Sequence, residues 1–200
     1  MPLIRRHRTR PATCAAPSEE PERPGDEPVN ILRFLHPDCI ALDLETSPTP
    51  VDPDETEAQR ERRLVHDKEA VLQELTDLMD RSGNIVNPTR FYKDIVNRER
   101  KATTAIAPGI AIPHVRSMQV RSFTMGFARA PGAGIPFASL DGGPTRLFFI
   151  LAAPPYDDRL YLRVYRQFAE MIQHEWIIDS FVDAQDEQDV RNILRGYVAQ

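Results

Sequence analysis

Cysteine is scarce, with 2 in 200 residues. Two thiols cannot build the disulfide framework of a small secreted domain, so the chain reads as a reduced, cytoplasmic protein. Cys14 lies in the opening segment, and Cys39 has apolar neighbours that suit a small buried hydrophobe. Neither has metal-ligand neighbours at a usual spacing and the five histidines are scattered, so no metal site is expected. No apolar run is long enough to cross a bilayer. A net charge of -5 gives no global attraction to nucleic acid or an anionic membrane. Arg5, Arg6, Arg8 and Arg10 open the chain without an apolar stretch behind them, so no secretion signal is expected. G-x-S-x-G is absent, and Ser139 near Asp141 has no local base, which leaves a serine hydrolase unsupported. No internal repeat stands out.

What is present is enough apolar content, 41%, to bury one core, and one domain is the default. Residues 1–29, with the arginine cluster and a Pro/Glu stretch after Pro17, bury too little apolar surface to offset ordering entropy and are expected to be a disordered tail. Residues 30–200 form the domain. A loop insertion is expected at 46–66, where Pro48, Pro50 and Pro53 precede the charged run Asp54 to Arg63; it reads as a solvated excursion holding at most a charged helical turn.

Within the domain, Ile31 to Leu35 reads as a short helix and Cys39 to Leu44 as a first strand. Asp67 is placed to cap a helix to about Arg81, with Val71, Leu72, Leu75, Leu78 and Met79 at helical spacing. Asn87-Pro88 opens the next helix, whose stripe Phe91, Ile95 and Val96 leads to Arg98. Ser122 to Ala128 alternates, and Leu147 to Ala152 is a continuous apolar run suited to a central strand. Tyr161 to Trp176 reads as one amphipathic helix with Leu162, Tyr165, Phe168, Ala169 and Ile172 inward, Trp176 in the core and His174 at its exposed end. Asp186 to Val198 closes the chain as a last helix. Strands and helices interleaved in this order predict an α/β fold, a central mixed sheet with helices on both faces.

The most informative stretch is Gly109-Ile110-Ala111-Ile112-Pro113-His114-Val115-Arg116. Ile110 to Ile112 suits a buried strand, which Pro113 is expected to stop, leaving His114 at a strand terminus facing a cleft. A neutral imidazole there is a nucleophile able to carry a group at physiological pH. A lone histidine is more often a hydrogen-bonded or surface residue without a role.

The context alters that balance. Residues 98–116, RERKATTAIAPGIAIPHVR, resemble the active-site region of the type-2 enzyme IIA domains of the bacterial phosphoenolpyruvate-dependent sugar phosphotransferase system, which reads RE, a few residues, then STGIGNGIAIPHAR. The likeness extends to Asn30–Leu44, to Leu140-Asp141-Gly142 with Arg146–Pro154, and to the last two helices. It implies a three-layer sandwich around a central mixed β-sheet of about five strands. It implies that His114 accepts a phosphoryl group from phosphorylated HPr or its nitrogen-branch homologue, then passes it to an enzyme IIB domain in sugar uptake. Arg98 would hold the phosphoryl oxygens, with Thr103, Thr104 and Tyr161 as further donors. No cofactor is implied, and membrane contact is only indirect, through a transporter complex. The plainer readings stay open beside these: Arg98, Arg100 and Lys101 as the solvated end of a helix, and the threonines as turn residues.

Four positions depart from the family pattern. Ala105 and Ala107 stand where glycines are usual, and Pro108 replaces an Asn. If that loop needs positive φ, alanine is costly there. Tyr161 stands where a second histidine commonly begins the penultimate helix, and a phenol supplies no imidazolium charge; Arg159 and Arg163 are the nearby substitutes. With no IIB or membrane IIC region in 200 residues, the length fits a free-standing IIA. The alternative is a regulatory module of the nitrogen-branch type that signals phosphorylation state to target proteins without transporting sugar. A third reading is a scaffold that keeps the fold and carries no phosphate.

Overall fold

A computed structural model describes residues 29–199; the expected tail and Cys14 lie outside the described residues, apart from Val29, which is buried. A 3-10 turn at Ile31–Phe34 leads into β1 (Leu35–Ala41), then come α1 (Glu57–Asp80), α2 (Pro88–Lys101), β2 (Ile110–Ala111), β3 (His114–Arg116) and β4 (Thr124–Arg129). A small hairpin, β5 (Ile135–Pro136) with β6 (Pro144–Thr145), precedes β7 (Leu147–Ala153), and α3 (Asp158–Met171), α4 (Glu175–Asp183) and α5 (Glu187–Val198) close the chain. The main sheet runs β1-β4-β7-β2, with β3 also on β7. Only the β4–β7 pair is antiparallel, so the sheet is mixed.

Strand β7 organises the layers. All seven of its residues are buried, as its unbroken apolar run demands. Side chains alternate across a strand. Leu147, Phe149, Leu151 and Ala153 therefore join one core with Phe168, Phe181 and Leu194 of α3, α4 and α5. Phe148, Ile150 and Ala152 join the other, with Leu72, Leu75, Phe91 and Ile95 of α1 and α2. Helices cover both faces of a five-stranded mixed sheet, the three-layer sandwich expected. No helix among the described residues is long and apolar enough to cross a membrane.

Several local expectations fail for physical reasons. The first strand is Leu35–Ala41 rather than Cys39–Leu44. Pro37 is tolerated inside it because β1 is an edge strand whose register shifts between Leu35 and Ile40. Asp67 does not cap a helix. The helix starts ten residues earlier, after Thr56, whose side chain and that of Gln59 form a reciprocal capping box. Asp67 is instead buried within α1 and accepts from the backbone N–H and hydroxyl of Thr49. About two turns further on, Glu74 accepts from the N–H groups of Glu45 and Thr46 at 2.7 and 2.9 Å. Within the span 46–66 only the residues up to 56 are loop, fastened to the helix by two carboxylates, and 57–66 form the first turns of α1 rather than a single charged turn.

The helix read as Tyr161–Trp176 is two helices. A break at 172–174 resets the helical phase, so Trp176 is exposed rather than in the core, and His174 is an exposed residue before α4. Leu162 is exposed as well; the inward stripe of α3 is Val164, Phe168 and Met171.

Candidate active site

His114 stands at a strand terminus, as the first residue of β3, but Pro113 interrupts the strand rather than stopping it. β2 and β3 share one register along β7, with Ile110 opposite Leu147, Ala111 opposite Phe148 and His114 opposite Leu151. The strand pauses at Ile112-Pro113, where the carbonyl of Pro113 still accepts from Leu151 N–H at 2.9 Å, and then resumes. His114 and Arg116 therefore point to the same side as Ile110 and Ile112, toward the α3 layer.

The approach to the strand is a tight turn. The carbonyl of Ala107 accepts from Ile110 N–H at 3.0 Å, with Pro108 and Gly109 at its centre and Gly109 at φ +73°. Proline followed by a positive-φ glycine is the type II turn pattern. This is why Pro108 fits. The alanines at 105 and 107 bring no backbone strain, because the one non-glycine with positive φ among the described residues is Ala138.

The His114 ring is fixed from both sides. Nδ1 lies 2.7 Å from the carbonyl of Ile112, and Arg98 reaches Nε2 through its Nε at 3.1 Å and its Nη2 at 2.7 Å. A carbonyl can only accept and a guanidinium can only donate, so the proton sits on Nδ1 and Nε2 keeps its lone pair. Burial is the main force lowering the His114 pKa below 6.5; the Ile112 carbonyl opposes it, the positive charge of Arg98 adds to it, and Glu99 offsets part. The imidazole is neutral at pH 7.

Arg98 comes from the last turn of α2 and also donates through Nη1 to the carbonyl of Ala102, at 2.9 Å. It thus closes its helix and touches the histidine at once. A cavity of about 560 Å³ opens beside the pair, its wall including Asp94, Lys101, Arg116 and Tyr161. Three of its charged lining residues are cations and one is an anion, which suits an anionic occupant.

Tyr161, at the start of α3, has its ring centroid 6.0 Å from that of His114. Its hydroxyl is held protonated, the pKa pushed up to about 12 chiefly by burial. Thr103 and Thr104 do not line this cavity. Thr104 is buried, its N–H and hydroxyl both donating to Glu99, at 3.0 and 2.7 Å. Thr103 donates weakly to the Phe137 carbonyl and accepts from Ala105 N–H, the bond of a turn threonine. Arg159 and Arg163 do not line the cavity either.

Two residues at the site were not among those the sequence nominated for it. Tyr165 stands edge-on to His114 at 5.0 Å between centroids, and its position one helical turn past Tyr161 was the available signal. Arg116 lies two residues past His114, a same-face spacing hidden by the expectation that Pro113 ends the strand. Ser139, weighed for a hydrolase, donates to Asp141 in a small turn. Among the described residues no cluster of three or more His, Cys, Asp or Glu could hold a metal.

Residues 59–197 match the family described as phosphoenolpyruvate-dependent sugar phosphotransferase system, EIIA 2. The chain belongs to this family. A fructose-specific EIIABC component of Bacillus subtilis is 29% identical over 131 residues; the match takes in 66% of this chain and 20% of that much longer protein. A nitrogen regulatory protein of Pseudomonas aeruginosa is 30% identical over 129 residues, 64% of this chain and 75% of that one. The crystal structure of nitrogen regulatory protein IIA-Ntr from Neisseria meningitidis superposes with TM-score 0.68 at 25% identity, over 83% of this chain and 99% of that one. IIA of the Escherichia coli mannitol system, solved in complex with its phosphorylated IIB, shares the fold at TM-score 0.56 and 19% identity, over 64% and 88% of the two chains. Enzyme IIA domains of this family are phosphotransfer components, and that complex pairs one with a IIB domain.

Proposed function

We propose that this IIA domain is a phosphocarrier whose acceptor atom is Nε2 of His114. The observation that carries the reading is the tautomer: Nδ1–H is tied to the Ile112 carbonyl, so the free lone pair is on the nitrogen that meets Arg98. In the transfer, the Nε2–P bond forms as the N–P bond of a donor phosphohistidine breaks, and the donor imidazole leaves with its electron pair. The positive charge that develops on the His114 ring is held at Nδ1–H by the carbonyl. The Arg98 fork moves from Nε2 to the phosphoryl oxygens, a planar donor pair meeting a tetrahedral anion. Tyr161, kept protonated, supplies a further donor. In the second step a IIB thiolate attacks phosphorus, the Nε2–P bond breaks and the lone pair returns to the imidazole. Most of the work is positioning and charge stabilisation. The donor is HPr or its nitrogen-branch homologue, and the reaction is cytoplasmic.

Incubation with phosphoenolpyruvate, enzyme I and either donor, followed by intact mass, tests this reading. One acid-labile phosphate, lost in His114→Ala, is expected. Absence of label from both donors overturns it.

A regulatory role of the nitrogen-branch type is the second reading. It is favoured by the coverage of nearly the whole Neisseria IIA-Ntr chain and by Tyr161 at the second-histidine position. A targeted pull-down that depends on the phosphorylation state, without transfer to any IIB, would select it.

A further inference from the structure

Resting on the phosphocarrier reading, we infer that Arg116 is a second phosphoryl-binding cation, and that Asp158 holds it in reserve until His114 is phosphorylated.

Strand parity brings the two residues together. His114 and Arg116 are two apart in β3, so both face the α3 layer, and both line the same cavity. Asp158, the first residue of α3, forms an ion pair with Arg116 Nη1. The guanidinium of Arg116 also lies over the Tyr161 ring, its Cζ 5.5 Å from the centroid, and that ring stands 6.0 Å from the His114 ring. Arg116 thus sits between an anion at the rim and the aromatic wall of the site. Both members of the pair are substantially solvated, 46% and 62% exposed, and an exposed ion pair is weak and easily exchanged.

A phosphoryl group at Nε2 would bring about two negative charges into the cavity beside Arg98. That dianion outcompetes one exposed carboxylate for a guanidinium, because it offers more charge and three acceptor oxygens in a less solvated place. Arg116 supplies the cation that Tyr161, a neutral phenol, does not. The exchange also frees the Asp158 carboxylate at the rim, so the edge of the site changes charge pattern when the group arrives.

The test compares Arg116→Ala, Arg116→Lys and Asp158→Asn with the full chain, using phosphoramidate as a small donor so that no partner protein is needed. The readouts are the phosphorylated fraction at equilibrium, by intact mass, and the 31P shift. Arg116→Ala is expected to lower the phosphorylation equilibrium constant about tenfold, the scale of one lost charge-assisted interaction, and Arg116→Lys to recover part. Asp158→Asn is expected to raise it a few-fold, since it removes the competitor.

Opposite signs separate this role from a structural ion pair, because both substitutions break the pair equally. Equal losses in the two variants, or Arg116→Ala matching wild type, overturns the inference while leaving His114 as carrier. Failure of wild type to label overturns both. Thermal melts within a few degrees of wild type check that folding is not the cause.

Discussion

Lys68 of α1 closes on the carboxylate of Glu99 at 2.6 Å, and the same carboxylate receives both the N–H and the hydroxyl of Thr104. One side chain thus joins α1, the end of α2 and the segment leading to β2. Arg98, its neighbour in sequence, turns to the other side and meets His114. The RE pair therefore divides its work: the arginine faces the chemistry, and the glutamate fixes the frame that aims it.

Removing that anchor should cost stability before it costs chemistry. Glu99 is 4% exposed, and deleting one member of a buried ion pair strands its partner. Glu99→Gln is expected to lower unfolding free energy by about 3 kcal/mol, measured by urea denaturation. A change under about 0.5 kcal/mol would mean the anchor is dispensable.

The histidine sets a pH dependence. Burial lowers its folded pKa below 6.5, so between the folded and unfolded values the unfolded chain binds more protons. Its contribution is full above pH 6.5 and is lost as pH falls through the folded pKa. Labelling should fade over the same acid range as Nε2 becomes protonated. A 1H–15N spectrum of the ring should show Nδ1–H and a bare Nε2 at pH 7; a midpoint above 6.5 would contradict the geometry.

Tyr161 makes a separate prediction. With a hydroxyl pKa of about 12, it should ionise only well after ordinary tyrosines in a spectrophotometric titration against Tyr161→Phe. Tyr161→His is expected to label severalfold faster below about pH 6.5, where an imidazolium adds a cation to the site. Unchanged labelling there would show that the phenol already suffices.

The turn before β2 offers a backbone test. At φ +73°, with no neighbouring heavy atom within 4 Å of where a Cβ would stand, Gly109 is constrained by conformation rather than space. Gly109→Ala should destabilise by about 1 kcal/mol, the cost of a left-handed alanine. Gly126 differs: a Cβ there would lie 2.9 Å from Ile150 Cγ2 and Met79 Sδ, so Gly126→Ala should cost more, through overpacking. Equal losses would contradict this distinction.

Much of the architecture was legible because it rests on local periodicity. The unbroken apolar run at 147–152 announced a strand buried on both faces, and Asn87-Pro88 announced a helix start that the structure keeps, with Asn87 capping Arg90 N–H. What failed turned on competition between a local signal and its surroundings. Pro113 read as a strand breaker, yet a two-residue pause accommodates it, and Pro37 falls inside β1, where an edge position tolerates it. Asp67 read as a cap because it preceded an apolar stripe, but the charged residues before it extend the same helix, whose surface they solvate.

By itself the sequence determined the alternation that sorts β7 into two cores, the helical stripes that cover them, and the motif that names His114 as the residue to watch. These follow from covalent order, since side-chain direction repeats every two residues in a strand and every three to four in a helix. Only the tertiary structure decided which hydroxyls and cations reach that histidine. Thr103 and Thr104, close in sequence, are turned to Phe137 and Glu99, while Tyr165 and Arg116 arrive from α3 and from the resumed strand. The reason is that a site is assembled from elements far apart in the chain, and their mutual orientation is fixed by packing across the whole sheet.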